Sequence, residues 1–430
     1  MHTRIIITFL TFFVWSCKTS PDQPQTIAAT TIDQFIKSHP DFSAYGKDLE
    51  TLYKERQQRY IWFDGEDRND LADVLYNRAR QIEREGIPVA LPYRVQYEKL
   101  FNDDKATPEH DLLLTAMYLF YVQKTQAGID PAKSKQLGWF LPRKKVDFAD
   151  YLDELMADEN ALDEQPAMYT NLRKGLQRYQ EMKSKGIATD AAGVSVDQRI
   201  KAIIVNMERC RWLSKSETDI PEYVAVNIPS YRMRYVRDGK TVLESDVIVG
   251  DEANKTVVFS GKMSYLVFSP YWNIPQSIVE KEIKPELAKD KDYLEKRNME
   301  WYGKDRLRQK PGADNSLGLV KFMFPNQNNI YLHDTPEKIL FNKEDRALSH
   351  GCVRVQKARE LAVKILDGDK NWTPEKIDQA MHAGKEQEYA LDRKIPVYLT
   401  YFTAVADESG NVTFYDDVYK RDDKVIQFLY

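Results

Sequence analysis

The sequence is poor in cysteine and histidine, with 3 cysteines and 6 histidines among 430 residues. So few cysteines cannot form the disulfide framework of a small secreted domain. The formal net charge of −4 argues against nucleic acid as a partner, because binding a polyphosphate needs a basic surface. There is no internal repeat and no low-complexity tract, and 42% hydrophobic residues are too many for a disordered chain. We therefore expect two or three globular domains.

The chain also has little continuous apolar sequence beyond Ile5–Trp15, which follows a short basic start. This run has the length of a signal-peptide core and is too short to span a bilayer. The small residue Ser16 before Cys17 resembles a bacterial lipoprotein signal. We predict that residues 1–17 are a signal peptide and that Cys17 becomes lipidated. An ordinary secretory signal and an uncleaved anchor are the alternatives.

Either signal takes the chain out of the cytoplasm, so we expect a periplasmic, lipid-anchored protein that meets the membrane through its N-terminus. Lys18 follows Cys17 where an aspartate would be expected for inner-membrane retention, which favours the outer membrane by analogy. Residues 18–30 are polar and contain proline, and they indicate a flexible tether.

Residues 31–215 have a mostly helical pattern. The most regular segment is Val196–Leu213, whose apolar residues recur at helical spacing. Cys210 lies on this helix with no reactive neighbour in the sequence, so we interpret it as a structural thiol. The pattern predicts an all-α domain.

From Pro221 the sequence becomes rich in β-branched and aromatic residues, and Asp238-Gly239 indicates a tight hairpin. We predict a β-rich domain over residues 220–405 and a hairpin with a tail over 406–430. A short helix is expected from Pro275 to Glu282, and the residues after it look irregular and charged. The fold class is thus α+β, with an all-α domain followed by a β-rich one.

The candidate chemistry lies in the β-rich part, at Ser349-His350-Gly351-Cys352-Val353-Arg354. A cysteine attacks as the thiolate, and an imidazole can take its proton. His350 is adjacent in sequence, but such adjacency rarely gives good geometry for a base. His333 ends a separate predicted strand and can face the thiol, so we assign Cys352 as nucleophile and His333 as base. Gly351 permits a sharp turn, backbone N–H groups around it suit an oxyanion hole, and Arg354 adds positive charge.

Three alternatives compete with this interpretation. His333, Asp334, His350 and Cys352 are possible zinc ligands, although their spacing matches no standard zinc pattern, and we predict no metal or other cofactor. A papain-like protease has its cysteine before its histidine, which is the reverse of the order here. The residues alone also leave open that the pair has no catalytic role.

A resemblance bears on this choice. His333, fifteen intervening residues and then Ser349-His350-Gly351-Cys352 followed by a hydrophobic residue and an arginine resemble the signature of the YkuD-type L,D-transpeptidase catalytic domain. Segments similar to its larger YcbB-like branch extend the match over roughly residues 40 to 405. They are Tyr60–Gly65, Asn206–Arg209, Tyr271–Ile278, Arg308–Gly312, Val320–Asn326 and Tyr331–Pro336.

The resemblance implies a peptidoglycan L,D-transpeptidase that forms 3→3 cross-links between tetrapeptide stems through a cysteine thioester. It implies that Cys352 is the nucleophile, that His333 is the base, and that the backbone of His350, Gly351 and Cys352 forms the oxyanion hole. Ser349 would orient the loop. Arg354, Tyr331 and Trp272 would contact substrate, and residues 285–325 would form a capping subdomain.

The sequence departs from that branch in one respect, because only Ile187–Val194 separates two predicted helices where a peptidoglycan-binding domain is usually inserted. We therefore expect that insertion to be absent. Two other outcomes stay open: an L,D-carboxypeptidase or amidase of the same fold, in which water attacks the thioester, and a catalytically silent wall-binding scaffold protein.

Overall fold

The structure, a computed structural model, describes residues 25–103, 105–163, 165–213, 220–303 and 305–430. The predicted signal peptide and Cys17 lie outside these residues. The described α-helices, in chain order, are α1 Ala29–Ser38, α2 Gly46–Glu55, α3 Asp70–Ala79, α4 Arg94–Asp103, α5 Pro108–Val122, α6 Pro131–Gln136, α7 Phe148–Ala157, α8 Ala167–Ser184, α9 Val196–Arg211, α10 Gln276–Ile278, α11 Lys284–Lys289, α12 Tyr293–Lys296, α13 Ala358–Ile365, α14 Pro374–Met381 and α15 Asp422–Leu429.

The described strands are short except for three in the second half of the chain. They are β1 Phe63–Asp64, β2 Asp67–Arg68, β3 Tyr223–Asn227, β4 Arg232–Arg237, β5 Lys240–Gly250, β6 Ser260–Phe268, β7 Trp272–Asn273, β8 Met299–Tyr302, β9 Arg306–Gln309, β10 Val320–Met323, β11 Leu332–His333, β12 Ala347–Ser349, β13 Val353–Val355, β14 Gln387–Thr400, β15 Ala404–Ala406 and β16 Val412–Phe414. The predicted α+β class is confirmed.

The first compact unit contains residues 25–80, 91–121 and 148–159. Its helices surround the buried carboxylate of Asp111, which accepts hydrogen bonds from the Ile61 and Trp62 N–H groups and the Tyr53 hydroxyl. Burial raises the pKa of Asp111 to about 6, while these hydrogen bonds oppose the shift. The local sequence Tyr60–Gly65 is therefore fixed by buried polar contacts to Asp111 and to the Thr115 hydroxyl, which accepts from Trp62 Nε1.

The second compact unit contains residues 81–90, 122–147 and 160–430. Its main sheet has the strand order β12-β5-β13-β11-β10-β6-β14-β3-β4, and β4 also pairs with β5, so the sheet closes on itself. Alternate residues of each strand point inward, as in β3, where Val224 and Val226 are fully buried. Helices α13 and α14 pack their apolar faces into the same core.

The compact units divide the chain differently from the predicted domains, whose boundaries stay predictions. Residues 31–215 were predicted to be one helical domain, but α8 and α9 belong to the unit that holds the main sheet. Residues 406–430 were predicted as a separate hairpin and tail, yet they belong to this unit too, with β16 paired to β15. Hydrophobic periodicity identifies a helix but does not show which core the helix joins.

A three-stranded sheet with the order β7-β9-β8 forms a small-sheet unit over Trp272–Gln309. Its own apolar cluster includes Ile278, Val279 and Leu307. The predicted limits of 285–325 were wrong, because β7 belongs to this sheet and Val320–Met323 is a strand of the main sheet. The helix also continues past Glu282 through the π turn Val279–Ile283 into α11, so Pro285 does not end it.

None of the helices in the described ranges is long and apolar enough to cross a membrane.

Candidate active site

Strands β11 and β13 place the candidate residues side by side. The two strands are parallel neighbours, with Leu332 paired to Val353 and His333 paired to Arg354. Leu332 and Val353 are fully buried in the sheet core. Because side chains alternate along a strand, Tyr331 and His333 share the opposite face with Cys352 and Arg354.

The nucleophile loop, Ser349–Cys352, joins β12 to β13 and is held by the buried Ser349 side chain. Ser349 Oγ donates to the Cys352 carbonyl at 2.5 Å and accepts from the Gly351 N–H at 3.1 Å. Gly351 has φ of +108°, a conformation that L side chains rarely adopt, so glycine is required at the turn. The loop is thereby closed on itself next to the thiol.

The Gly351 N–H is thus already bonded within the loop. In the described part of the chain, no protein group accepts a hydrogen bond from the Cys352 N–H. Of the predicted oxyanion donors, the Cys352 N–H is therefore available to a bound carbonyl oxygen.

The thiol of Cys352 is half-buried and contacts two groups of the preceding segment. Its Sγ lies 3.7 Å from the Asn329 carbonyl oxygen, and the backbone N–H and the hydroxyl of Tyr331 lie close enough to the sulfur to affect its pKa. Burial raises the pKa of the Cys352 thiol above its ordinary value, while Tyr331 and the Arg354 cation act to lower it. Burial and the neighbouring sulfur also raise the pKa of the Tyr331 phenol, so it stays a hydrogen-bond donor.

The His333 imidazole is buried, and its Nδ1 lies 2.5 Å from the Asp334 carbonyl oxygen. A carbonyl only accepts, so Nδ1 carries the proton in this contact. Burial and, to a smaller extent, the Arg354 charge lower the pKa of His333 to about 4, although hydrogen bonds to backbone carbonyls and the Asp334 carboxylate oppose the shift. Among the described residues, no hydrogen bond joins this ring to the Cys352 thiol, so the role of His333 as base stays a prediction.

The side chain of Asp334 is fixed from two sides. Its carboxylate accepts the Leu319 N–H at 3.0 Å and pairs with Lys338 at 2.5 Å. Gly318 has φ of +64°, and a Cβ there would lie 2.4 Å from Asp334 Oδ2. This packing holds the segment whose carbonyl orients His333.

The other histidine of the motif points elsewhere. His350 Nε2 lies 2.7 Å from Oε1 of Glu282 in the small-sheet unit. Arg354 is also paired, with the Glu337 carboxylate. His350 thus contacts the small-sheet unit, whereas Arg354 links β13 to Glu337, in the segment after His333.

Metal ligation finds no support in this arrangement. In the ranges that the structure covers, no three His, Cys, Asp or Glu side chains form a group suited to a metal ion. The His333 ring and the Cys352 thiol instead contact backbone carbonyls and Tyr331.

A known protein family contains this pair of strands. Residues 221–376 match the family model described as the L,D-transpeptidase catalytic domain, YkuD, and they include β11, the nucleophile loop and β13. The chain carries a YkuD L,D-transpeptidase domain. Residues 47–185 match a second family model, described as a scaffold domain.

The chain also has a relative in sequence, a provisionally named L,D-transpeptidase of Haemophilus influenzae. The two are 36% identical over 229 residues, which cover 48% of this chain and 46% of the relative. The match thus spans less than half the length of that relative.

Solved structures show weaker similarity. An L,D-transpeptidase from Mycobacterium smegmatis has a TM-score of 0.24 at 9% identity, covering 42% of this chain and 58% of that one. A mutant L,D-transpeptidase of Enterococcus faecium has a TM-score of 0.23 at 12% identity, covering 42% and 50%.

Within the YkuD domain, the structure brings Tyr331 close to the thiol and places His333 and Arg354 as paired residues of the neighbouring strands β11 and β13. Trp272, predicted to contact substrate, is half-buried in β7 and packs against the apolar cluster of the small-sheet unit. Its role in binding stays a prediction. Sequence reasoning missed Asn329 and Glu282, which contact the motif from 23 and 68 residues away and belong to no recognisable pattern.

Proposed function

We propose that this protein is a peptidoglycan L,D-transpeptidase that forms 3→3 cross-links between stem peptides through a thioester on Cys352. The observation that supports it best is the Cys352 thiol, which lies beside Tyr331 and an unused backbone N–H within a YkuD domain. A nucleophile beside an oxyanion donor is the arrangement that acyl transfer needs.

In the first step, Cys352 Sγ attacks the carbonyl carbon of the third stem residue, and His333 takes the thiol proton. The carbonyl oxygen becomes an oxyanion that accepts the Cys352 N–H. When the carbonyl re-forms, the bond to the terminal D-alanine breaks, and His333 returns the proton to the departing amine. The products are a thioester and free D-alanine.

In the second step, the side-chain amine of another stem attacks the thioester carbonyl. A new amide bond forms, the carbon–sulfur bond breaks, and a proton of the amine passes through His333 to the thiolate. The enzyme returns to its starting state. Attack by water in place of the amine would give a carboxypeptidase.

The pKa values bear on how the first step begins. Burial raises the pKa of Cys352 and lowers that of His333 to about 4, so a neutral thiol and a neutral imidazole are favoured at pH 7. A preformed ion pair is therefore not expected, and proton transfer accompanies the attack. Arg354 lies close enough to both groups to affect their pKa values, and we propose that it also binds a stem carboxylate.

The location of this activity is part of the proposal. A cell-wall substrate requires export, and residues 1–17 with Cys17 would supply a signal and a lipid anchor in the periplasm. Replacing Cys17 by serine is expected to release the protein from membrane fractions into the soluble periplasmic fraction. Unchanged membrane retention would contradict the lipid anchor.

The decisive experiment is to incubate the purified chain with disaccharide-tetrapeptide and to identify products by mass spectrometry. We expect 3→3 dimers, and a carbapenem adduct on the peptide that contains Cys352. Cys352→Ala should abolish both. Cys210→Ala, which removes a buried thiol outside the motif, is the matched control and should preserve both.

The products separate the competing functions. Tripeptide without dimers would indicate an L,D-carboxypeptidase. No turnover and no carbapenem adduct, with binding to cell-wall sacculi that survives Cys352→Ala, would indicate a silent binding protein.

A further inference from the structure

Thr256 is a fully buried residue outside the catalytic motif whose hydroxyl reaches the nucleophile loop. Its Oγ1 accepts a hydrogen bond from the Gly250 N–H at 2.8 Å and donates one to the Gly351 carbonyl at 2.8 Å. One side chain therefore bridges the end of β5 and the residue before the nucleophile.

The two backbones that Thr256 joins are packed without room for a side chain between them. Gly250 pairs with Ser349 in the sheet. A Cβ on Gly250 would lie 2.0 Å from the Asn254 carbonyl oxygen and 3.0 Å from the Gly351 Cα. The loop packs directly on this backbone. A change in the Thr256 side chain therefore alters the position of Gly351 without an intervening flexible group.

Thr256 is itself held by a residue near the end of the chain. The Tyr419 hydroxyl donates to the Gly250 carbonyl at 2.6 Å and accepts from the Thr256 N–H at 3.1 Å. Both residues are buried. The Thr256 hydroxyl thus has a fixed backbone and two fixed partners, and it has little freedom to rotate.

The Gly351 carbonyl and the Cys352 N–H belong to one peptide unit. This unit is planar and trans, so its C=O and N–H point in opposite directions. A hydrogen bond that fixes the carbonyl therefore fixes the direction of the N–H. It also polarises the peptide, which strengthens the N–H as a donor.

We infer that Thr256 is a positioning residue, which aims the Cys352 N–H at the oxyanion of the acyl-transfer step by holding the Gly351 carbonyl. This inference rests on the proposed function, since it says which side chain fixes the direction of the oxyanion donor in that reaction. Ser349 holds the loop through contacts within it. Thr256, which follows β5, connects the loop to Gly250 at the end of that strand.

The test compares Thr256→Val, which keeps the shape and removes the hydroxyl, with Thr256→Ser, which keeps the hydroxyl. Two reactions of Cys352 are measured. Acylation by a carbapenem forms an oxyanion. Alkylation by iodoacetamide also needs a thiolate but forms no oxyanion. Thr241→Val, on the exposed part of β5, makes the same chemical change away from the loop and serves as the control.

We expect Thr256→Val to slow acylation on the order of 10- to 100-fold, because losing an oxyanion donor outright costs roughly 100- to 1,000-fold. The loss should fall on the acylation rate constant and not on the concentration for half-saturation. Alkylation should change less than about twofold. Thr256→Ser should retain acylation within about threefold, and Thr241→Val should match wild type.

Three results would overturn the inference: normal acylation of Thr256→Val, an equal loss of acylation and alkylation, or a Thr256→Ser variant as slow as Thr256→Val. A wild-type chain that no carbapenem acylates and that forms no dimers would reject the proposed function and this inference together. An active wild type beside an unimpaired Thr256→Val rejects the inference alone.

Discussion

His350 Nε2 and Glu282 Oε1 lie 2.7 Å apart and join the nucleophile loop to the small-sheet unit. Both side chains are about half exposed, so the free energy of this contact is small, about 0.2–1 kcal/mol. We expect its effect to be geometric, in that it helps to hold the helical segment Gln276–Lys289 against the loop.

Glu282→Gln is expected to loosen this segment without unfolding the protein. Hydrogen–deuterium exchange of the amides in Gln276–Lys289 should become several-fold faster, while the free energy of unfolding changes by less than about 1 kcal/mol. Glu280→Gln is the matched control, because Glu280 pairs with Lys284 within the same segment. Equal exchange rates in both variants would show that the His350 contact does not hold the segment.

Arg354→Gln is expected to make the Cys352 thiol harder to ionise. The guanidinium lowers the pKa of the thiol, so its removal raises that pKa. The midpoint of the pH–rate profile for alkylation therefore moves to higher pH. Rates of iodoacetamide labelling between pH 6 and 10 would measure the shift. Arg359→Gln removes an exposed arginine that pairs with Asp378 and should leave the curve unchanged; a shift of equal size there would point to net charge as the cause.

His333→Gln is expected to reduce the loss of stability in acid. The unfolded imidazole titrates near 6.5 and the folded one near 4, so the unfolded chain binds the extra proton between these pH values. Stability from this group is therefore fully present above pH 6.5 and is lost as the pH falls to 4, by about 3 kcal/mol.

Urea unfolding at pH 7 and pH 4 would measure that difference, with His382→Gln, an exposed histidine, as the control. If wild type and both variants lose the same free energy, the burial of a neutral His333 is wrong. The same His333 variant should lower the rate constant of transpeptidation by roughly 100- to 10,000-fold, as removal of a general base does.

Native protein is expected to react with iodoacetamide at Cys352 and not at Cys210. Cys210 is fully buried, and burial raises the pKa of its thiol to about 12. Peptide mapping after brief labelling at pH 8 would locate the adduct, and labelling in urea should modify both residues. Native labelling of Cys210 would show that helix α9 opens readily.

The sequence could predict those features that depend on neighbouring residues. The period of Val196–Leu213 predicted the helix found at Val196–Arg211, and Asp238-Gly239 predicted the hairpin in which both residues have positive φ. The motif at Ser349–Cys352 identified the YkuD domain, because its residue types and their spacing are specific.

Features formed by distant residues could not be predicted in this way. Thr256 and Tyr419 are separated by 163 residues, and neither is marked by a periodicity or a motif. The resemblance implied a capping subdomain here, but the strands of the small-sheet unit were not predicted, because they are short and Pro285 suggested the end of a helix. The His333 ring was expected to face the thiol, but its hydrogen bond to a carbonyl depends on how the Asp334 segment packs, which no local pattern encodes.

The hydrogen bond between Tyr419 and Gly250 forms late in synthesis, after the residues of the nucleophile loop have been made. A chain emerges from the ribosome with its N-terminus first, so Cys352 and His333 are made well before Tyr419. Until Tyr419 follows, the Gly250 carbonyl and the Thr256 N–H lack their partner, and the support beneath the loop is incomplete. The hydrogen bonds beneath the nucleophile loop can therefore be completed only after synthesis has passed Tyr419.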